Sequence, residues 1–195
     1  MIVGNPLMFA IESEFTKAYE RLSFRALGFF ALHVGSRCYG VRVPETTMLA
    51  CSFDAVNRRI EARGRHQASF AAVPDGGKLA DAVRRALYAG DEEDSQFYGL
   101  ERQKFSDVIY SNDLLWVPDG DEGFDDGSYV LQFDLGEQVR IIAFQSGDGY
   151  VHYPATLRDI WLPSNEFYGV LEHWRDAFEA EWIAAPKISP SEEAA

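Results

Sequence analysis

Residues 128–144, SYVLQFDLGEQVRIIAF, carry the clearest structural pattern in the chain. Tyr129, Leu131 and Phe133 alternate with polar residues, and a second apolar run, QVRIIAF, follows the short segment LGE. Successive side chains of a β-strand point to opposite faces, so this alternation is typical of an antiparallel strand pair with one buried face. The pattern predicts a β-hairpin whose two strands are joined at LGE.

Elsewhere in the chain, shorter runs rich in β-branched and aromatic residues predict the other strands. Residues 28–43, GFFALHVGSRCYGVRV, predict a second hairpin with Gly35 and Ser36 at its turn. Further strands are predicted at residues 8–15, 46–52, 113–118 and 159–163.

Apolar residues spaced three or four apart predict three helices. The first is expected to begin at Ser52 as its N-cap and to stop at Gly64; the second covers residues 78–90 and closes at Gly90. The third, at residues 164–182, carries an apolar stripe of Phe167, Leu171, Trp174, Phe178 and Trp182.

Strands are followed by helices, then by strands, then by a last helix, and this order predicts the fold class. We expect a single α+β domain, in which a mainly antiparallel sheet packs with two or three helices, including a long C-terminal helix. The domain is predicted to cover residues 1–185. Residues 186–195, PKISPSEEAA, have no apolar period and predict a flexible C-terminal tail.

The composition indicates a folded protein that does not enter a membrane. Hydrophobic residues make up 47% and aromatic residues 14% of the 195 residues, which is enough for a packed core. The N-terminus has no basic region ahead of an apolar one, and no uncharged apolar run approaches the ~18 residues of a membrane span. We therefore expect a cytoplasmic location.

The net charge of −13 is distributed unevenly along the chain. Residues 1–90 hold 12 basic and 8 acidic residues, a net +4, whereas residues 91–195 hold 6 and 23, a net −17. Such a charge repels nucleic acid and anionic membranes and attracts positively charged partners. We therefore expect a basic protein partner and no binding of nucleic acid or membrane; the sequence carries no signal for an oligomeric state.

The cysteines and histidines do not have the spacing of a metal or redox site. Cys38 and Cys51 are thirteen residues apart, without CxxC spacing, and are expected to be buried free thiols. The four histidines are scattered along the sequence, so neither zinc nor any other cofactor is expected. His33, within an apolar strand, is interpreted as a core residue, and the arginines between 58 and 65 as the solvated side of a helix.

Residues 118–127, PDGDEGFDDG, concentrate the negative charge into a loop that is rich in glycine. The five carboxylates belong to Asp119, Asp121, Glu122, Asp125 and Asp126. An EF-hand calcium loop beginning at Asp119 would need ligands where Gly123 and Val130 stand, so that match fails.

Two other chemical uses of this loop stay open. Paired carboxylates can perform acid–base chemistry if at least one is desolvated, but the flanking glycines predict a loop that is open to water. Alternatively, the carboxylates are a docking surface for a basic protein, with nearby Trp116, Phe124 and Tyr150 as aromatic anchors. Core packing is the other interpretation of these aromatics, and it suits Trp116 better than Phe124. The plainest interpretation is a solvated loop that aids solubility. The candidate partner-binding residues are Asp119, Asp121, Glu122, Phe124, Asp125, Asp126 and Tyr150; no catalytic residue and no metal ligand is assigned.

Two segments resemble a known protein family. The opening GNPLMFAIESEF, residues 4–15, is similar to the start of immunity protein 42 family members, and the hairpin DGSYVLQFDLGEQVRIIAF, residues 126–144, resembles a later strand pair of that family. Together with the size, the acidity and the C-terminal helix, the resemblance covers most of residues 1–182. It implies an immunity protein of a bacterial polymorphic-toxin or contact-dependent growth inhibition system.

The leading hypothesis is therefore a non-enzymatic immunity protein, which binds and neutralises the C-terminal domain of a cognate antibacterial toxin through an acidic surface. The toxin is expected to be basic and is a candidate nuclease, because nucleases need positive grooves to hold phosphates. One alternative is a small hydrolase that uses a divalent metal held by carboxylates of residues 119–126. The other is an acidic mimic of nucleic acid that inhibits a different DNA-binding protein.

Overall fold

A computed structural model describes residues 1–23, 25–89, 96–116 and 122–188, and it has the α+β architecture that the sequence predicts. The helices are α1 Leu49–Glu61, α2 Gly76–Tyr88, α3 Arg102–Ser111 and α4 Ser164–Ala184. The strands are β1 Ile2–Asn5, β2 Phe9–Tyr19, β3 Ala26–Val34, β4 Arg37–Tyr39, β5 Thr47–Met48, β6 Gln96–Phe97, β7 Leu100–Glu101, β8 Ser128–Leu135, β9 Gln138–Gln145, β10 Arg158–Pro163 and β11 Lys187–Ile188.

The predicted hairpin at residues 128–144 is confirmed as β8 and β9. The two strands pair antiparallel without a break, from Ser128 opposite Gln145 to Leu135 opposite Gln138. Strand β10 adds to the other side of β9 and completes a three-stranded antiparallel sheet, the central sheet. Both faces of β8 are buried between Val130 and Asp134, so the expectation of one solvated face is wrong. The reason is that α1, α4 and the sheet formed by β1–β4 cover the face that was expected to meet water.

The first strand and the second predicted hairpin are also confirmed, and both belong to an N-terminal sheet. Its order is β1–β2–β3–β4; β5 pairs with the far end of β3, and β11 runs parallel to β2. At the turn from β3 to β4, Gly35 and Ser36 have φ values of 54° and 66°. Positive φ at both central residues is what a tight hairpin turn requires.

The helices agree with the sequence less uniformly than the strands do. Helix α4 is confirmed, and four residues of its predicted stripe are fully buried, while Trp182 is partly buried. Helix α1 begins at Leu49 rather than after Ser52, whose side chain is buried inside the first turn, so the predicted N-cap is wrong. Leu49 is buried in the first core, next to Gly28 of β3, and the helix starts there without a capping side chain. Helix α2 is capped by Asp75, whose carboxylate accepts from the Lys78 amide at 3.0 Å; Gly90 lies outside the described residues.

Two segments differ from their predictions. Residues 113–118 were expected to form a strand, but their described part makes one isolated bridge, from Leu115 to Leu131. Residues 186–195 were expected to be a tail, and Lys187 and Ile188 form β11; residues 189–195 lie outside the described part. Within the described chain, none of the helices combines the length and the apolar character needed to cross a bilayer.

Two hydrophobic cores lie on opposite faces of the central sheet. Val130, Ile141 and Ala143 face the first core, which α1, α4 and the N-terminal sheet enclose. Leu131, Phe133, Ile142 and Phe144 face the second core, which α2 and α3 cover. The central sheet is therefore the middle layer of the molecule.

A buried polar network ties α1, α4 and the segment after α1 to β8. The Asp134 carboxylate accepts from Tyr168 Oη at 2.9 Å and from the Gly64 amide at 2.7 Å. The Arg59 guanidinium donates to Gln132 Oε1 at 3.1 Å and to the Leu115 carbonyl at 2.6 Å. Arg59 was expected on the solvated side of its helix, and this expectation is wrong because its side chain passes into the molecule to satisfy these acceptors.

Candidate protein-binding surface

The described part of the acidic loop is fixed to the rest of the protein. Asp126 accepts from the Ser128 hydroxyl at 2.9 Å, from the Ser128 amide at 3.0 Å and from Gln145 Nε2 at 3.0 Å. The Val41 amide donates to the Gly123 carbonyl at 2.7 Å, which holds the loop against the segment after β4. Asp125 and Asp126 are exposed while their backbone is held in place.

Phe124 differs from its prediction as an exposed aromatic anchor. It ends a 3-10 helix, Glu122–Phe124, and its side chain is only 7% exposed because it packs into the first core. Its contribution is therefore to anchor the loop to the protein interior. The predicted residues Asp119 and Asp121 and the side chain of Glu122 lie outside the described residues.

Tyr150 belongs to an aromatic cluster at the open end of the β8–β9 hairpin, opposite the Gly136 turn. It is 39% exposed, and its neighbours Val151 and Tyr153 are 45% and 51% exposed. Arg84 of α2 donates to Tyr129 Oη at 2.6 Å, and its guanidinium lies over the rings of Tyr88, Tyr129 and Tyr150 at 4.5, 4.6 and 6.0 Å. An arginine stacked among tyrosines is a composition typical of the energetic centres of protein interfaces.

The segment that carries Tyr150 is also held rigidly. His152 lies 2.7 Å from Asp81 of α2 through its Nδ1, and its amide donates to the same carboxylate at 2.8 Å. The Gly147 amide donates to the Val151 carbonyl at 2.6 Å, which closes the loop on itself. Such fixation reduces the entropy lost when a loop binds a partner.

Gln145, at the end of β9, connects the acidic loop with the aromatic cluster. Its side chain donates to Asp126, and its carbonyl accepts from the Tyr153 amide at 2.9 Å. The carboxylates and the aromatic residues therefore lie at the same end of the central sheet. We call the following set the aromatic–acidic surface: Tyr88, Asp125, Asp126, Tyr129, Tyr150, Val151 and Tyr153.

Sequence reasoning found three members of this surface and missed four. Tyr88 lies in a predicted helix and Tyr129 in a predicted strand, and nothing in the local sequence distinguishes them from other residues of these elements. Val151 and Tyr153 come shortly after Tyr150, in a segment without an apolar period. This pattern was the one indication in the sequence that their side chains are exposed.

A shallow cleft lies between the C-terminal ends of α1 and α3. Its volume is about 530 Å³, and its lining includes Arg58, Arg65, Tyr110 and Asp113. Ser111 also lines it, but its hydroxyl donates to the Asp107 carbonyl. Neither a histidine nor a cysteine is among the described residues that line this cleft.

One group of described residues has the geometry to hold a metal ion. A ligand atom from each of Glu12, His33 and Cys38 lies within 4.8 Å of the other two. The spacing along the sequence does not show this group, because strand pairing brings together residues that are far apart in the chain. Cys51 was expected to be buried and is exposed on α1, and Cys38 is only partly buried; neither forms a disulfide.

The chain is an α+β domain that carries exposed aromatic and acidic side chains at one end of its central sheet. The chain belongs to the Immunity protein 42 family, whose model matches residues 1–177. Its fold is similar to the crystal structure of CdiI from Burkholderia dolosa AUO158, with a TM-score of 0.56 and 17% identity over 91% of this chain and 99% of that one. A search of curated proteins gives no match.

Proposed function

We propose that this immunity protein binds the C-terminal domain of a cognate antibacterial toxin through the aromatic–acidic surface and blocks its activity in the cytoplasm. Membership of the Immunity protein 42 family supports an inhibitory role against a toxin. The observation that carries the proposal further is the group of exposed side chains Tyr150, Val151 and Tyr153, held beside Asp125 and Asp126.

The chemistry of this surface favours a basic partner. Residues 91–195 carry a net charge of −17, and exposed carboxylates at one end of the central sheet steer cations towards the tyrosines. The tyrosines then supply apolar area with little loss of side-chain entropy. A nuclease toxin fits this chemistry because its substrate groove must be positive.

The first test is co-purification of the chain with the toxin encoded by the neighbouring upstream gene. We expect a stable complex and loss of toxicity when both are expressed. Failure to bind that toxin, or binding without protection of the cell, would overturn the proposal.

The second test locates the contact. Replacing Tyr150 and Tyr153 together by Ala should weaken toxin binding by about 2 kcal/mol or more, the size of a hot-spot contribution. The matched control is Trp161→Ala, since Trp161 is 42% exposed on β10 and lies outside the aromatic–acidic surface. Equal losses in the two variants would place the contact elsewhere.

A further inference from the structure

Glu12, His33 and Cys38 form a compact group on the N-terminal sheet, on the face that points away from the first core. His33 Nε2 lies 2.7 Å from Glu12 Oε2, and all three ligand atoms fall within 4.8 Å of one another. His33 is buried and the other two residues are partly buried. The proposed toxin-binding function does not use these three residues.

The sheet register explains why these three residues meet. Cys38 of β4 lies directly opposite His33 of β3, and His33 lies opposite Ala10 of β2. Glu12 is two residues beyond Ala10, so its side chain points to the same face as His33. Because three paired strands supply the three side chains, their separation is set by the rigid backbone of the sheet.

These three residues already have a positively charged neighbour, the side chain of Arg42. Arg42 Nη2 lies 2.5 Å from Glu12 Oε2 and 3.3 Å from His33 Nε2. Arg42 belongs to the segment between β4 and β5, and its side chain is 48% exposed, so it can leave the group without opening the core. The arginine therefore occupies the position where a metal ion would contact the same atoms.

A thiolate, an imidazole and a carboxylate are ligands that Zn²⁺ accepts together, with bonds of about 2.0–2.3 Å. Tetrahedral geometry at these bond lengths places neighbouring ligand atoms about 3.4 Å apart. At present His33 Nε2 lies 2.7 Å from Glu12 Oε2 and every pair of the three ligand atoms lies within 4.8 Å, so side-chain rotations would bring the atoms to this spacing.

We propose that Glu12, His33 and Cys38 form a zinc-binding site in which Zn²⁺ displaces Arg42 and keeps a fourth position for water or another ligand. The two occupants exclude each other, since both need Glu12 Oε2. Zinc binding would then break the ion pair between Arg42 and Glu12, while Lys17 of β2 keeps its 3.1 Å ion pair with Glu45 in the segment at residues 40–46.

Cobalt(II) tests this proposal directly, because a cobalt–thiolate bond gives a near-ultraviolet charge-transfer band that zinc removes by competition. We expect this band with the purified, metal-free, full-length protein. Cys38→Ser should abolish it, and His33→Gln should weaken cobalt binding on the order of tenfold or more through loss of one ligand. The matched control is Cys51→Ser, which removes the other thiol of the chain from an exposed position and should leave the band unchanged.

Arg42→Ala separates a metal site from a simple ion-pair cluster. Removing the competing guanidinium should tighten cobalt and zinc binding, whereas Glu12→Gln should weaken both without removing the thiolate band. Absence of the band in the wild-type protein, its survival in Cys38→Ser, its loss in Cys51→Ser, or weaker metal binding in Arg42→Ala would overturn the proposal. Circular dichroism of each variant establishes that it is folded.

Discussion

Tyr168 shows at the scale of a single residue how the buried polar network stabilises the fold. Burial raises the pKa of its phenol above the ordinary value of about 10, and the charge and hydrogen bond of Asp134 raise it further. The folded protein thus keeps a proton that the unfolded chain loses in alkali. The resulting stabilisation is complete below pH about 10 and is lost as the pH rises towards the folded pKa.

Tyr168→Phe should lower the free energy of unfolding by about 1–3 kcal/mol at neutral pH, because Asp134 loses a buried donor. Above pH about 10, the free energy of unfolding should fall less steeply with pH than in the wild type, because the variant lacks the Tyr168 phenol with its raised pKa. Burial also raises the pKa of Tyr39, so stability still falls with pH in the variant, although less steeply. Urea unfolding at neutral and alkaline pH measures both effects.

The control for this prediction is Tyr153→Phe, since Tyr153 is exposed and its phenol is not needed inside the protein. That variant should match the wild type at every pH. An unchanged alkaline slope in Tyr168→Phe would contradict the role assigned to its phenol.

Individual site residues were predictable only where a local pattern reveals them. The local sequence predicts the exposure of Asp125, Asp126 and Tyr150. It does not predict the burial of Phe124, which packs in a core with residues of β3 and β4 that are far away in sequence. The group of Glu12, His33 and Cys38 was missed for the same reason: strand register, which spacing along the chain does not show, brings it together.

At the scale of elements, α4 closes the first core over the N-terminal sheet. Trp174 at its centre is fully buried, packs on Phe30 and Phe178 with ring centroids 5.3 and 5.0 Å away, and donates its indole N–H to Ser13 Oγ at 3.0 Å. Helix packing of this kind, more than helix propensity, determines the stability of a domain.

Trp174→Ala should reduce the free energy of unfolding by about 3–5 kcal/mol, because it leaves a large cavity and an unpaired Ser13 hydroxyl. Trp161→Ala, on the exposed side of β10, should cost no more than about 1 kcal/mol. Chemical denaturation of the two variants provides the comparison. Equal losses would mean that α4 does not close the core in the manner described.

Elements with a continuous apolar period were predictable, and those held by tertiary contacts were not. The hairpin of β8 and β9 and the helix α4 have unbroken patterns of period two and about 3.6, so local sequence defines them. Helix α3 buries only Phe105 and Ile109, too few to form a visible stripe. Helix α1 begins without a capping side chain, so a start predicted from a cap at Ser52 lies too late in the sequence.

At the scale of the whole molecule, charge and aromatic residues meet at one end of the central sheet. In the complex that we propose, the acidic half of the sequence supplies the long-range attraction to the toxin, and the tyrosines around Arg84 supply the short-range contact. Rates of association respond mainly to the first, and rates of dissociation to the second.

The ionic-strength dependence of association with the cognate toxin domain therefore tests the account most directly. Asp125→Lys should slow association at low salt and flatten its dependence on salt, because it reverses a charge on the aromatic–acidic surface. Glu172→Lys makes the same change of charge at an exposed position of α4 and serves as the control. We predict a clearly larger effect for Asp125→Lys; equal effects, or none in either variant, would contradict toxin binding through this surface.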